Sequence, residues 1–83
     1  MKHATDKALD KLDGVLATVR SYPELKEKKR GIFYYKSSAF LHFHEDAAGL
    51  FADLRVAGYF KRCAVNTVSE RKACTAAVRD ALR

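Results

Sequence analysis

Two histidines one residue apart, His42 and His44, are the sharpest chemical feature of this sequence. On a β-strand the side chains at i and i+2 leave the same face, so two imidazoles at this spacing can converge on one ion. A hairpin that sets Asp53 opposite His42 adds a carboxylate. Two imidazoles and one carboxylate form a ligand set that zinc or iron accepts. The competing reading pairs Asp53 with Arg55 or with a cross-strand histidine as an ordinary surface contact. Cys63 and Cys74 lie eleven positions apart, which is no metal-binding spacing, and they read as small, half-buried, reduced hydrophobes.

A second chemistry is stacking on unpaired bases. The run from Lys36 to Phe43 matches the RNP1 signature of RNA-recognition modules at Lys36, Ala39, Phe40 and Phe43, with Ser37 in place of Gly and Ser38 in place of the first aromatic. Modules with that signature run β-α-β-β-α-β, an order this chain lacks, so the match is read as chance. Phe40, Phe51 and Tyr35 still offer rings, and Lys26, Lys28, Lys29 and Arg30 form a basic cluster that would hold phosphate. The remaining bases, among them Arg62, Arg71, Lys72, Arg79 and Arg83, are scattered, not banded along one helix. No Gly-rich phosphate loop, Cys-x-x-Cys pair or nucleophile elbow occurs, so neither catalysis nor a cofactor is expected.

These residues need elements to position them. Leu9, Leu12, Leu16 and Val19 recur with helical period, which predicts one helix over 5–20, capped by Thr5 and stopped by Pro23. Gly14 falls inside it at a cost of about 1 kcal/mol, with close packing as its only explanation. The charged run 24–30 reads as a loop or a single turn. Four strands follow, Ile32–Lys36, Ala39–His44, Leu50–Val56 and Tyr59–Val65. They are joined by Ser37-Ser38, residues 45–49 and Ala57-Gly58. Thr67-Val68-Ser69-Glu70 is a capping box that opens a second helix over 67–82. The expected fold is therefore α+β, α-β-β-β-β-α, a four-stranded antiparallel meander with two helices packed on one face, in a single domain over 1–83.

Alternation then sorts the faces. Leu41, Phe43, Leu50, Ala52, Leu54 and Val56 should meet the helices. Phe40, His42, His44, Phe51, Asp53 and Arg55 should line the open face, with Tyr35 counted beside them. Both faces of residues 32–35 are apolar enough to go inside. Such an open face is too apolar for plain solvent.

Composition sets the outer bounds. The 83 residues carry a net charge of +6 with 48% apolar content, enough for one small core and too apolar for a disordered chain. No apolar run approaches the roughly 18 residues of a membrane span. The opening Met1-Lys2-His3-Ala4-Thr5-Asp6 has no apolar stretch, so a cytoplasmic location and no membrane partner are expected.

Tyr22-Pro23-Glu24-Leu25-Lys26-Glu27, then Gly31-Ile32-Phe33-Tyr34 and Ala39-Phe40-Leu41, resembles the YjbR-like family over roughly the first half of the chain. The resemblance implies a small bacterial α+β protein of uncertain role, with nucleic-acid binding as the activity proposed for such proteins. The chain departs from that family in lacking Trp. The functional expectation is a non-catalytic binding or assembly module, homodimeric through its open sheet face. The alternatives are a single-stranded nucleic-acid binder, or a metal or small-ligand site at His42, His44 and Asp53.

Overall fold

The computed structural model describes residues 2–83. Its elements run β1 (Lys2–His3), α1 (Asp6–Asp10), α2 (Asp13–Arg20), β2 (Leu25–Lys29), β3 (Ile32–Tyr35), β4 (Ser38–Asp46), β5 (Gly49–Val56), β6 (Tyr59–Ala64) and α3 (Val68–Ala81). The class is α+β with an antiparallel sheet. The sheet has six strands where four were expected, in the order β2-β3-β4-β5-β6, with β1 paired to β4. Leu9, Leu12, Val15, Leu16 and Val19 from the first two helices and Cys74 and Val78 from α3 close one core with Phe33, Leu41, Phe43, Ala52 and Leu54.

Two strands escaped the sequence reading. The charged run 24–30 is strand β2, paired with β3 through Leu25↔Tyr35, Lys26↔Tyr34 and Glu27↔Phe33. An edge strand needs only backbone pairing and one half-buried side, and Leu25 and Glu27 supply that side. Its lysines keep the free edge from recruiting another strand. A two-residue turn at Arg30-Gly31 joins β2 to β3. Gly31 has φ +80°, and a Cβ there would lie 2.8 Å from a Leu9 methyl, so both the turn and the packing of α1 require glycine. The second missed strand, β1, sets Lys2 opposite Glu45 and His3 opposite His44, alongside the half of β4 that β3 leaves free.

The expected single helix over 5–20 is two helices. Lys11 and Leu12 donate to the carbonyls of Ala8 and Leu9, a tightened turn, and Leu12 sits at φ −106°, ψ 19°. The break seats Leu9 against the Gly31 turn while Leu12, Leu16 and Val19 still reach the core. Gly14 is not explained by close packing, since a Cβ there would meet nothing within 4 Å. The cap expected at α3 is present: Glu70 N donates to Thr67 Oγ1 at 3.1 Å and Thr67 N to a Glu70 carboxylate oxygen at 3.1 Å.

One irregularity decides the faces. Phe33 pairs with Leu41, but Tyr34 pairs with Ala39, so β4 carries an extra residue at Phe40. A bulge of this kind breaks strict alternation. Phe40 therefore turns inward beside Leu41 and is 3% exposed, in the core and not on the open face where strict alternation put it. Tyr35 follows it, packing edge-on to Phe40 at 5.8 Å between centroids and against the core. Phe33 goes in with Tyr35, which settles the ambiguity of residues 32–35. Val56, expected to face the helices, is exposed at the end of β5. The tight turn lies at Lys36-Ser37, one residue before its expected place, because Ser38 already pairs with Tyr35; both turn residues take positive φ, as a mirror-image hairpin turn demands.

Candidate metal centre on the outer sheet face

Strand register assembles the site. β4 and β5 pair His42↔Asp53 and His44↔Phe51, and β5 and β6 pair Asp53↔Arg62. Asp53 thus stands opposite His42, the placement the metal reading required. A diagonal step brings His44 to the same carboxylate, with Nε2 3.2 Å from Asp53 Oδ2. His42 Nδ1 lies 2.6 Å from His44 Nε2. The three donor atoms of His42, His44 and Asp53 all fall within 4.8 Å of one another. A four-coordinate zinc ion with bonds of about 2.0–2.2 Å holds its donors roughly 3.3 Å apart. The two imidazole nitrogens, at 2.6 Å, would have to separate by about 0.7 Å to reach that spacing.

Electrostatics favours a charged Asp53 and a neutral His42, while the tautomer of His44 opposes coordination through Nε2. Arg62 donates Nε and a terminal nitrogen to the two Asp53 oxygens at 2.9 and 3.1 Å, and this fork holds the carboxyl below its usual range against the opposing effect of burial. Burial first, and then the neighbouring His44, push His42 below the ordinary imidazole value, so its lone pair is free at neutral pH. His44 Nδ1 is buried with no hydrogen-bond partner among the described residues. A bare lone pair there is cheaper than an orphaned N–H, so without an ion the ring proton belongs on Nε2, between His42 and Asp53. For Nε2 to bind an ion that proton must leave it, and the neutral ring then carries its N–H on the buried Nδ1, a desolvation cost that binding has to offset.

Aromatic groups wall the cluster. Phe60 packs edge-on to His42 at 4.9 Å between centroids, and His3 stacks on His44 at 5.2 Å. Arg55 donates to the Ala39 carbonyl beside the bulge at 2.8 Å and lies 4.9 Å over the Phe60 ring, so it braces the face.

Of the residues proposed for the open face, His42, His44, Phe51, Asp53 and Arg55 share it, while Tyr35 and Phe40 belong to the core side. The nucleic-acid set is dispersed. Phe40 is buried, and Arg30 is engaged by Asp6, Asp10 and Asp13 at 3.0, 2.7 and 3.8 Å. Lys26, Lys28 and Lys29 lie on β2, three strand spacings or about 14 Å from Phe51 on β5. Sequence reasoning missed Arg62, His3 and Phe60. Arg62 was recoverable by counting back from the Val56↔Tyr59 turn pair; His3 was not, because a two-residue strand has no periodicity.

No family model, curated protein or solved structure matches this chain. The functional reading therefore stands on geometry and chemistry.

Proposed function

We propose that this protein is a non-catalytic binding module that holds a late first-row divalent ion, zinc above all, on its outer sheet face. The observation that carries the reading is the convergence of His42, His44 and Asp53 donor atoms within 4.8 Å, from two adjacent strands of a packed sheet. Imidazole and carboxylate donors suit zinc better than magnesium or calcium, which prefer all-oxygen shells. Placement on a rigid sheet supports binding with little reorganisation. An ion bound only to the folded state raises the melting temperature in proportion to the logarithm of its concentration. The test is thermal denaturation with and without zinc, in a buffer that does not chelate it. The wild type should melt higher with zinc, whereas His44→Gln should not respond. An unchanged melting temperature in the wild type would remove the reading.

Self-association along the β6 edge is a second reading, favoured by Tyr59 and Phe60, 80% and 44% exposed on the two faces of that edge strand. A second copy covering them would bury apolar rings now in water. Sedimentation across a micromolar concentration series decides it, with a monomer at every concentration against it.

A further inference from the structure

We infer that His3, carried by β1, is a fourth ligand that closes the site, so that the bound ion clasps the first strand to the sheet. The inference rests on the metal reading above and goes beyond it in naming the coordination shell and its structural consequence. His3 pairs directly with His44 across β1 and β4, which puts three imidazoles on one face. Their ring centroids stand 4.7 Å (His42–His44), 5.2 Å (His3–His44) and 6.1 Å (His3–His42) apart. Two imidazoles bound to one tetrahedral ion have centroids about 5.2 Å apart, given zinc–nitrogen bonds of about 2.05 Å. The His42–His44 and His3–His44 spacings lie within about 0.5 Å of that value, and the His3–His42 spacing is about 0.9 Å longer. Orientation differs too, since His3 lies nearly parallel to His44 at 20°. The His3 side chain is exposed, and coordination requires its ring to turn, since its nitrogens are not among the donor atoms of His42, His44 and Asp53 that lie within 4.8 Å of one another.

The backbone that carries His3 is fixed where the ligand is needed. Ala4 N donates to the Phe43 carbonyl at 3.0 Å and Thr5 N to Glu45 Oε1 at 2.7 Å. Both bonds anchor the chain immediately after His3 to β4, the strand that bears His42 and His44. Three histidines and one aspartate fill a tetrahedral shell, the closed arrangement of structural sites, whereas catalytic zinc keeps a position for water. The ion's role would then be to pin β1, whose own ladder is only two residues long.

The experiment compares the wild type, His3→Gln and His44→Gln loaded with Co²⁺, read by visible absorption, and with Zn²⁺, read by calorimetry. His3 contributes nothing to the core, and equal melting temperatures in chelator show that His3→Gln folds normally. Outer-shell partners of metal ligands are worth about 10–100-fold in affinity, so loss of a true ligand costs at least about tenfold. The inference expects the intense bands of four-coordinate cobalt in the wild type. It also expects weaker bands and at least about tenfold weaker zinc binding in His3→Gln. Wild-type spectrum and affinity in His3→Gln would overturn the role of His3 while leaving the three-ligand site in place. Absence of binding in the wild type would overturn both.

Discussion

Asp53 is the residue on which the outer face depends. It is 8% exposed, and its carboxylate is shared between the Arg62 fork and His44. Removing the carboxylate leaves the largely buried His44 Nε2 without it and frees the exposed Arg62, so Asp53→Ala should lose both metal binding and stability, whereas His42→Gln should lose mainly the former. Cys74 shows the opposite behaviour. It is 1% exposed, and burial pushes its thiol up to about 11, so almost no thiolate exists at neutral pH. Alkylation at pH 7 followed by peptide mass analysis should modify Cys63 first and Cys74 only in denaturant. Glu27 carries a pH signature distant from the metal cluster. The Arg20 guanidinium, 2.6 Å away, holds its carboxyl below the usual value, helped by the Gly31 amide. A depressed folded-state pKa adds stability that is full above the unfolded value and is lost as pH falls through the folded one. The difference in melting temperature between wild type and Glu27→Gln should therefore be largest near neutrality, begin to shrink near the ordinary glutamate value of about 4.3, and vanish as pH falls through the lower folded-state value.

At the scale of elements, the bulge at Phe40 sorts core from surface. Phe40→Ala should destabilise by about 3–5 kcal/mol through the cavity it leaves, a large share of a small domain's total, as measured by urea unfolding. Alternation with a constant period of two made Leu41, Phe43, Ala52, Leu54, His42, His44 and Asp53 legible, and the turn at Ala57-Gly58 set the pairing around Asp53. Phe40 was illegible because a single extra residue leaves no mark in composition. β2 was illegible because Leu-Lys-Glu-Lys-Lys shows charge where a strand usually shows branched and aromatic side chains; edge position explains the difference. The α3 cap was legible because Thr67 and Glu70 satisfy backbone donors locally, with no need of tertiary context. Gly14 marks a helix position where nothing crowds a side chain, so Gly14→Ala should stabilise by about 1 kcal/mol in the same unfolding assay.

At the scale of the whole molecule, the charge and the apolar content divide differently from their totals. Three arginines are matched internally, Arg20 on Glu27, Arg30 on three aspartates and Arg62 on Asp53, and because these pairs use five of the acids the +6 excess stays with the other bases. The radius of gyration is 11.5 Å, against about 12 Å expected for a folded chain of this length, so one chain closes its own core. What is left uncovered lies along the β6 edge, where Phe60 borders the histidine cluster and Tyr59 is exposed on the other face of the strand. Nitrogen-15 magnetic resonance of the imidazole rings during a zinc titration examines that cluster atom by atom. The account predicts that His42 Nδ1 and His44 Nε2 leave their metal-free positions together and reach saturation at one equivalent of zinc. Resonances that stay unmoved at one equivalent, or drift only in large excess, would contradict it.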